Sequence, residues 1–390
     1  MELQTRKVSE LIPYINNSRT HSDEQINQII SSIKEFGFTN PILLEEENGI
    51  IAGHGRLMAV KKMGWTEVPC VTIKGLTKTQ IKALNIADNQ IALNAGWDLD
   101  KLKLEIKGLD EDSFNLDILG FNNDFLKNLL IEENEGLVDD DEIPNAKKEA
   151  KTKLGDIWIL GNHRLMCADA TIESNVEKLL NSQKADMIFT DPPYGVDYKG
   201  INNDSRDGLE ELLKESFANY FSYSKSGASI YCFHSDKCAD VFHKVFREFF
   251  HFSSMIIWAK NKLTLSQTDY QSQHEPCMYG WLKNGTHSWH SDRKQTSVWK
   301  IDKESVAGHT TPKPVALVCN AINNSSKGDD IVLDLFGGSG STLIGCEKLR
   351  RKANIMELDP IYVDVIIERW QNFTGKEAIH EQSGKRYNEL

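Results

Sequence analysis

Residues 151–390 alternate short apolar runs with segments in which apolar residues recur every three to four positions. Short apolar runs bounded by polar or glycine-rich turns are typical of buried strands, and longer periodic segments are typical of helices. The pattern predicts strands over Arg164–Cys167, Asp186–Thr190, Ala228–Phe233, Met255–Trp258, Ile331–Leu335 and Asn354–Leu358, and helices over Asn175–Leu180, Ala239–Phe249, Pro314–Asn323, Thr342–Leu349 and Tyr362–Trp370. This alternation indicates an α/β fold, a doubly wound and mostly parallel sheet covered by helices on both faces.

Two stretches of this region, 195–225 and 261–312, are polar and aromatic and show no clear period. They are too long to be simple connections between secondary-structure elements. We therefore expect both to be irregular loops with a functional role.

Residues 1–108 show a similar alternation on a smaller scale. A strand is predicted over Pro41–Glu45, a turn at Asn48-Gly49, and a second apolar run that opens into a helix near Gly53. Residues 109–150 break the pattern and are acidic, so we predict a linker or helical segment between the domains 1–108 and 151–390.

The composition is that of an ordinary globular protein, with 40% hydrophobic and 26% charged residues in 390. No apolar run approaches the roughly 18 residues that span a bilayer, and the first residues lack the apolar stretch of a signal peptide. The seven cysteines are scattered without a C-x-x-C pair. We expect a cytoplasmic protein, bacterial or encoded by a bacteriophage, with no membrane partner and no metal site.

The net charge of −12, taken alone, argues against a nucleic-acid partner. However, residues 110–142 hold twelve Asp or Glu and a single basic residue, Lys127, so the rest of the chain is close to neutral. Such an acidic block is usually a solvated linker or helix. The overall charge therefore does not exclude DNA.

A glycine-rich turn follows the strand predicted at Ile331–Leu335, in the segment Asp334-Leu-Phe-Gly-Gly-Ser-Gly-Ser-Thr342. Glycines allow a tight turn and a close approach of the backbone to a ligand, and the free amides at a helix start suit an anionic or polar group. No lysine follows the glycines, so this is not a Walker A loop, and the G-x-G-x-x-G spacing is absent. Glu357, at the end of the next predicted strand, is placed to accept hydrogen bonds from ribose hydroxyls. The arrangement predicts a nucleoside cofactor.

A second motif, Asp191-Pro192-Pro193-Tyr194, follows the apolar strand predicted at Asp186–Thr190. Open α/β sheets place their sites at this end of the strands, and the two prolines stiffen the loop. The amino group of adenine or cytosine is a poor nucleophile because its lone pair is delocalised into the ring. Two acceptors, the Asp191 carboxylate and the Pro192 carbonyl, would stabilise the charge that develops when this amine is alkylated. Tyr194 offers an aromatic face on which a flipped base can stack.

With these two motifs the region 151–390 resembles the amino-methyltransferases of DNA, which have a D/S-P-P-Y/W motif, and in particular the beta subclass, in which this motif precedes the glycine loop. The resemblance implies a Rossmann-like fold, S-adenosylmethionine as cofactor, and Asp191, Pro192, Pro193 and Tyr194 as catalytic residues. It implies that the cofactor is held by the glycine loop and by the segment His309–Pro314 just upstream. The implied cofactor residues are Asp169, Asp334, Phe336, Gly338, Gly340, Ser341, Glu357, His309 and Lys313, with Asp169 at the adenine ring although Ala168 replaces the usual glycine before it.

Asp rather than Ser at the head of the catalytic motif favours adenine N6 over cytosine N4. A C5-cytosine enzyme would need a nucleophilic cysteine after a proline. Pro69-Cys70 and Pro276-Cys277 lie in strand-like segments away from the glycine loop, so we interpret both cysteines as structural. The expected function is site-specific methylation of the adenine N6 amine in duplex DNA, with cytosine N4 as the alternative and an RNA or protein amine as a lesser one.

The segment from Trp258 to Trp299 mixes aromatic and polar side chains, including Tyr270, Glu275, Trp281 and Trp289. Some of these side chains would line the base pocket or read DNA, with the two irregular stretches as target-recognition loops, and others would pack in the core. The residues singled out for the base pocket and for DNA contacts are Trp258, Lys260, His274, Arg293 and Lys294.

Residues 3–90 resemble the ParB-like N-terminal domain, on the strength of Gly53-His-Gly-Arg56 at a predicted helix start. Gly53 and Arg56 are candidates for holding a phosphate. The basic box is shortened to one arginine, so a structural or DNA-docking role is favoured over nucleotide hydrolysis. Two other hypotheses remain, a nuclease in this domain and a DNA-binding or partition protein with an accessory methyltransferase domain. A homodimer and a cognate restriction endonuclease are further partners that the resemblance allows.

Overall fold

The computed structural model describes residues 3–17, 19–93, 96–195, 206–264, 269–291, 294–302 and 312–390. The chain divides into two compact units, Met1–Leu130 and Ile131–Leu390. The division falls inside the acidic segment 109–150. We call the two parts the first and the second unit.

The first unit has a small mixed sheet with helices beside it. Its strands are β1 (Leu3–Lys7), β2 (Ile42–Leu44), β3 (Ile50–Ala52) and β4 (Glu67–Thr72), and its helices are α1 (Asp23–Phe36), α2 (His54–Lys62), α3 (Lys78–Leu93), α4 (Leu99–Glu111) and α5 (Asn123–Leu129). The strand order is β1-β4-β2-β3, with β2 and β4 parallel and the other pairs antiparallel. Strand β2 lies within the predicted strand Pro41–Glu45, β3 coincides with the second apolar run, and β4 includes the strand-like segment at Pro69-Cys70. The apolar side chains of Ile42, Leu44 and Val68 are fully buried in the core.

The second unit is built on a ten-stranded sheet, counted over the described residues. Its strands are β5 (Ile157–Leu160), β6 (His163–Cys167), β7 (Ala185–Thr190), β8 (Ser224–Phe233), β9 (Phe250–Thr264), β10 (Ser272–Leu282), β11 (Val298–Lys300), β12 (Ile331–Asp334), β13 (Lys352–Glu357) and β14 (Ile379–His380). Its helices are α6 (Glu173–Leu180), α7 (Leu209–Tyr223), α8 (Ala239–Phe249), α9 (Val315–Ser325), α10 (Ser341–Lys348) and α11 (Pro360–Thr374).

The strand order is β11-β9-β10-β8-β7-β12-β13-β6-β5-β14, and the central strands from β8 to β6 run parallel. A separate apolar cluster covers each face of the sheet. One contains Val332 and Ile355 with Val318 and Ile344 from helices, and the other contains Leu333 and side chains of α7 and α8. The predicted doubly wound α/β fold is confirmed, because parallel strands joined by helical crossovers bury both faces.

The expectation that 195–225 and 261–312 are irregular throughout is wrong. Residues 209–223 form α7, whose Leu209, Leu213 and Phe217 recur at helical spacing and are buried, although polar residues between them hide the pattern. Residues 272–282 form β10, an interior strand of the sheet between β8 and β9. Its polar first half conceals the buried run that begins at Pro276.

The acidic run at 139–142 was expected to be solvated, and this expectation is also wrong in part. The side chains of Asp140 and Asp141 are only 29% and 28% exposed and lie near cations, Asp140 beside Lys348 and Asp141 near Arg369. No helix in the described ranges is long and apolar enough to cross a membrane.

Candidate active site

The central strands β7, β12, β13 and β6 are parallel neighbours, so their carboxyl ends meet at one edge of the sheet. Asp191 follows β7, the glycine turn follows β12, Glu357 ends β13 and Asp169 lies just beyond β6. This edge is where open α/β sheets bind ligands. The sheet topology therefore brings together the four sequence motifs that were predicted separately.

The glycine turn depends on three glycines for different reasons. Gly338 and Gly340 have φ of +52° and +85°, a region that favours glycine, and Gly340 begins α10. A Cβ on Gly337 would lie 2.5 Å from the Ile355 side chain, whereas one on Gly338 would meet no atom within 4 Å. Among the described atoms, Gly338 therefore borders open space, on the side where a ligand would approach.

Asp334, the last residue of β12, makes hydrogen bonds that hold this turn in place. Its side chain is buried, accepts a hydrogen bond from the Phe336 N–H at 3.0 Å and lies 2.6 Å from the Thr342 hydroxyl. Burial raises the pKa of Asp334 to about 8, an effect that the hydrogen bonds of Thr342 and Phe336 oppose. The Phe336 ring is half-buried against one of the two core clusters and fixes the start of the turn. The contact between Asp334 and Thr342 fixes its end.

Glu357 and Asp169 supply carboxylates beside the turn. Glu357 accepts hydrogen bonds from the Gly338 N–H at 2.8 Å and the Asp359 N–H at 2.9 Å. Burial raises its pKa, against the effect of these hydrogen bonds. Asp169 is bonded locally, since one oxygen accepts from the Thr171 N–H and hydroxyl at 2.9 and 2.7 Å. The second oxygen of Asp169 takes no part in either of these contacts.

The Asp191 motif contacts Lys313, a residue that lies before β12 and the glycine turn in the sequence. Lys313 Nζ lies 2.5 Å from one carboxylate oxygen of Asp191, and the Tyr194 hydroxyl donates to the other at 2.5 Å. The Lys313 side chain is 6% exposed and that of Asp191 is 29% exposed. Burial alone would lower the pKa of Lys313, but the carboxylates of Asp191 and Glu275 raise it above its usual value. The resemblance implied a cofactor contact for Lys313, whereas its ammonium lies with the catalytic carboxylate.

Glu275 of β10 completes this group, and the sequence analysis named it without giving it a role. Its carboxylate lies 3.1 Å from Lys313 and 2.5 Å from Lys260 of β9. Burial would raise the pKa of Glu275, but the two lysines hold it at about 2. Glu275 directly precedes the buried run of β10 and follows polar residues, so its neighbours in the sequence did not indicate a buried acid that needs a partner.

Tyr220 of α7 was missed by the sequence analysis. Its buried hydroxyl donates to Thr190 Oγ at 2.9 Å and accepts from the Leu335 N–H at 2.8 Å. Thr190 directly precedes Asp191, and Leu335 starts the glycine turn. Tyr220 therefore links the ends of β7 and β12. The expectation that this stretch was a loop hid the residue.

Comparison with known families gives one interpretation of this geometry. Residues 185–368 match the family described as DNA methylase, residues 1–90 match the ParB N-terminal domain, and residues 100–154 match the ParB-methyltransferase HTH domain. The chain carries a DNA methylase domain of the N6/N4 family behind a ParB-like domain. It is therefore a DNA methyltransferase of that family, and the match supports the predicted resemblance.

Three curated relatives and one solved structure show how far the likeness to this methyltransferase extends. YnaK of Escherichia coli K12, a ParB-like nuclease domain-containing protein, is 48% identical over 80 residues, 20% of the methyltransferase and 92% of YnaK. The type II methyltransferase M.HpaI of Haemophilus parainfluenzae is 26% identical over 258 residues, 59% and 81% of the two chains. The DNA adenine methyltransferase YhdJ of Escherichia coli K12 is 24% identical over 229 residues, 49% and 78%. The crystal structure of the M1.HpyAVI–SAM complex is 23% identical with a TM-score of 0.43 and covers 53% and 98%.

S-adenosylmethionine is the expected cofactor of the methyltransferase. The residues fit it on chemical grounds. Gly338 borders open space at the turn, and the Glu357 carboxylate beside it can accept further hydrogen bonds, as ribose hydroxyls require.

The residues singled out for the base and for DNA have different positions in the methyltransferase. Trp258 is fully buried and its indole N–H donates to the Ile301 carbonyl at 2.8 Å, so it packs in the core and cannot stack a base. Lys260 pairs with Glu275 beside Lys313, and His274 lies 3.2 Å from Asp236 at the surface. Lys294 is exposed. Arg293 and His309 lie outside the described residues.

In the first unit, Gly53 has φ of +107° and starts α2. Arg56 donates to the carbonyls of Asn40 at 2.5 Å and Pro41 at 3.2 Å. Gly53 and Arg56 line a small cavity of about 200 Å³, together with Arg19, His21, His54 and Asp88. The lining has two arginines against one aspartate, so its formal charge favours an anionic ligand, although Arg56 is already engaged with main-chain carbonyls.

Proposed function

We propose that this chain transfers a methyl group from S-adenosylmethionine to the N6 amine of adenine in duplex DNA, at a specific sequence. The observation that carries the proposal is that Asp191 follows the strand next to the glycine turn, at the same edge of the sheet. Asp at the head of the motif favours adenine in the family that the chain resembles. The name of YhdJ, an adenine methyltransferase, supports the same choice.

The amine would be held by two acceptors, the Asp191 carboxylate and the Pro192 carbonyl. Each carboxylate oxygen has two lone pairs, and the contacts with Lys313 and Tyr194 use one on each. These contacts fix the plane of the carboxylate and leave a lone pair on each oxygen for the substrate amine. Acceptors held in this way stabilise the positive charge that develops on the amine, at no cost of reorganisation.

Lys313 and Glu275 would keep the Asp191 carboxylate in place. Lys313 is buried between two carboxylates, so its charge is compensated on both sides. Tyr194 would stack the flipped base, and its hydroxyl is already anchored on Asp191. The remaining exposed part of Asp191 is then the part that meets the substrate.

The glycine turn and its neighbours would hold the cofactor, which supplies the methyl group when bound. Gly338 and Gly340 would allow the backbone to approach it, and Glu357 would accept from the ribose hydroxyls. Asp169 would contact the adenine ring. Asp334, Phe336 and Ser341 would shape the turn, and His309 remains a candidate on the basis of the resemblance alone.

The base is tested by expressing the full chain in cells without endogenous adenine or cytosine-N4 methylation. Their DNA is digested to nucleosides and analysed by mass spectrometry, with the Asp191→Ala chain as the matched control. We expect N6-methyladenine in the first sample and none in the control. N4-methylcytosine instead would refute the adenine assignment and leave the family membership intact, and methylation-sensitive sequencing of the same DNA would give the recognition site.

The proposal extends to where and with what the enzyme acts. We place it in the cytoplasm of a bacterium or of a phage-infected cell, with the ParB-like domain in a structural or DNA-docking role. A homodimer and a cognate restriction endonuclease remain part of the proposal. Size-exclusion chromatography with light scattering tests the first, and incubation of plasmid with the chain and Mg²⁺ tests whether it has nuclease activity of its own.

A further inference from the structure

The acidic residues at the start of the second unit have no role in the reaction proposed above, yet they are tightly attached to the rest of that unit. We call residues 133–141 the acidic strap. The Asn134 N–H donates to the Lys348 carbonyl at 2.8 Å, and the Leu137 N–H donates to the Phe373 carbonyl at 2.8 Å. A Cβ on Gly136 would lie 2.3 Å from the Phe373 ring. The strap therefore packs closely on the ends of α10 and α11.

A buried arginine joins the strap to the glycine turn. Arg369 of α11 is 2% exposed, and it donates to the Ser339 carbonyl at 2.9 Å and to the Asp140 carbonyl at 2.8 Å. Its guanidinium lies 3.8 Å from the Asp141 carboxylate. Burial lowers the pKa of Arg369 to about 10, and the carboxylates of the strap, first Asp141, oppose that effect. A buried charge needs such compensation, so the arginine depends on the strap.

The strap also reaches the segment that carries Lys313. Asp141 accepts a hydrogen bond from the Val315 N–H at 2.8 Å, and so caps the first turn of α9, two residues after Lys313. A carboxylate at this position satisfies a free amide and interacts favourably with the helix dipole. The carbonyl of Lys313 in turn accepts from the Ser341 hydroxyl at 2.6 Å.

These contacts form a closed network of hydrogen bonds. Arg369 connects the strap to the glycine turn, Ser341 of that turn connects to Lys313, and Val315 connects back to Asp141 of the strap. We propose that Asp141 and Arg369 are positioning residues that hold the glycine turn and Lys313 in the arrangement that binds the cofactor. The match to the methylase family begins at residue 185. The strap therefore lies outside the matched region, although Arg369 connects it to the glycine turn inside that region. The inference rests on the proposed function only for the identity of the glycine turn as the cofactor site.

The test uses the full chain with Asp141→Ala, Asp141→Asn and Arg369→Lys, and with Glu135→Gln as the matched control, an exposed carboxylate on the same strap. The affinity for S-adenosylmethionine is measured by calorimetry, and amide hydrogen exchange of residues 335–345 is measured without cofactor. We expect Asp141→Ala and Arg369→Lys to weaken cofactor binding by about tenfold or more, the order expected for a lost charged hydrogen bond. Exchange in the turn should accelerate in both variants, and Glu135→Gln should match the wild type.

The Asn variant separates the two functions of Asp141. It keeps an oxygen that can accept from the Val315 N–H and loses the charge beside Arg369, so we expect an intermediate loss of affinity. Folded variants with wild-type affinity and wild-type exchange would overturn the proposal. If Asp141→Ala does not fold, the Asn variant decides by the same two measurements. Both measurements are independent of which base is methylated, so failure of the adenine assignment would leave this result unchanged.

Discussion

Two helices of this protein begin in the same way, and their surroundings differ. Helix α10 in the second unit and α2 in the first unit each follow a strand and start at a glycine with positive φ, Gly340 at +85° and Gly53 at +107°. Such helix starts present free amides and are common anion sites. From the local sequence alone, both turns are candidates for binding a ligand.

The polar side chains around the two turns differ in how much hydrogen-bonding capacity the described contacts leave unused. Beside α10, Glu357 accepts only from main-chain amides in the contacts described, and it keeps lone pairs for ribose hydroxyls. At α2, Arg56 already donates to the carbonyls of Asn40 and Pro41, and burial lowers its pKa. The His54 ring accepts from the Tyr14 N–H. The glycine turn fixes the backbone in both cases, and we expect the uncommitted polar side chains to determine whether a turn binds a ligand.

The largest expected effect is that of Asp191→Ala, which tests whether the second unit's edge is a catalytic site. We expect methyl transfer to DNA to fall by about three orders of magnitude or more, because the variant loses a preorganised acceptor for the amine. Cofactor affinity should stay within about threefold, since Lys313 retains Glu275 as a partner. Transfer of radiolabelled methyl groups and calorimetry measure the two quantities. Substantial residual transfer would contradict the assigned role.

Glu357→Gln tests the acceptor that distinguishes the two turns. The amide keeps one acceptor oxygen but loses the charge and places an NH₂ where the Gly338 N–H now donates. We expect the dissociation constant for S-adenosylmethionine to rise by about tenfold or more, as for a lost charged hydrogen bond. Calorimetry measures it, and the far-UV circular dichroism spectrum controls for folding. An unchanged constant would remove Glu357 from the cofactor site.

The sequence predicted the parts of the site that come directly after buried strands. Asp191, the glycine turn and Glu357 lie at the ends of strands whose apolar runs are clear in the sequence, and parallel packing brings these ends together. Glu275 and Tyr220 received no role because they act across the sheet, on elements that their polar neighbours disguised. Such contacts depend on which strands are adjacent, and this information lies in the tertiary structure and not in any local period.

Tyr220→Phe is a direct test of such a cross-sheet contact. It removes one hydroxyl and leaves the Leu335 N–H without this buried acceptor, so we expect a loss of about 1–3 kcal/mol in the free energy of unfolding. Methyl transfer should fall several-fold through kcat more than through KM for the cofactor, because the ends of β7 and β12 lose their link. Denaturant titration and steady-state kinetics measure these effects. Equal changes in kcat and stability for the matched Tyr223→Phe variant, on the same helix but with its hydroxyl in an exposed contact with Glu173, would argue for a non-specific effect.

Asp334→Asn tests the glycine turn of the second unit through the pH dependence of the free energy of unfolding. Burial raises the pKa of Asp334 to about 8, against an unfolded value of about 3.9. Between these values the folded state holds a proton that the unfolded state has lost, so this group's contribution to stability is full below about pH 4 and disappears as the pH rises through 8. We expect the wild type to lose more stability than the Asn variant between pH 5 and pH 8, on the order of 1 kcal/mol or more. Parallel pH profiles in urea titrations would contradict the assignment of the proton to Asp334.

The smallest effect on methyl transfer is expected at the other turn, from Arg56→Ala with Lys61→Ala as the control of equal charge on the same helix. Arg56 is occupied with main-chain carbonyls, so its loss should lower the stability of the first unit by about 1 kcal/mol and leave kcat at saturating DNA unchanged. Thermal unfolding and DNA binding at several salt concentrations measure the two consequences. A phosphate contact would behave differently, since removing it reduces the slope of log affinity against log salt by about one. Such a reduction for Arg56→Ala, absent from Lys61→Ala, would make the two glycine turns alike after all, both binding a ligand with the groups around them.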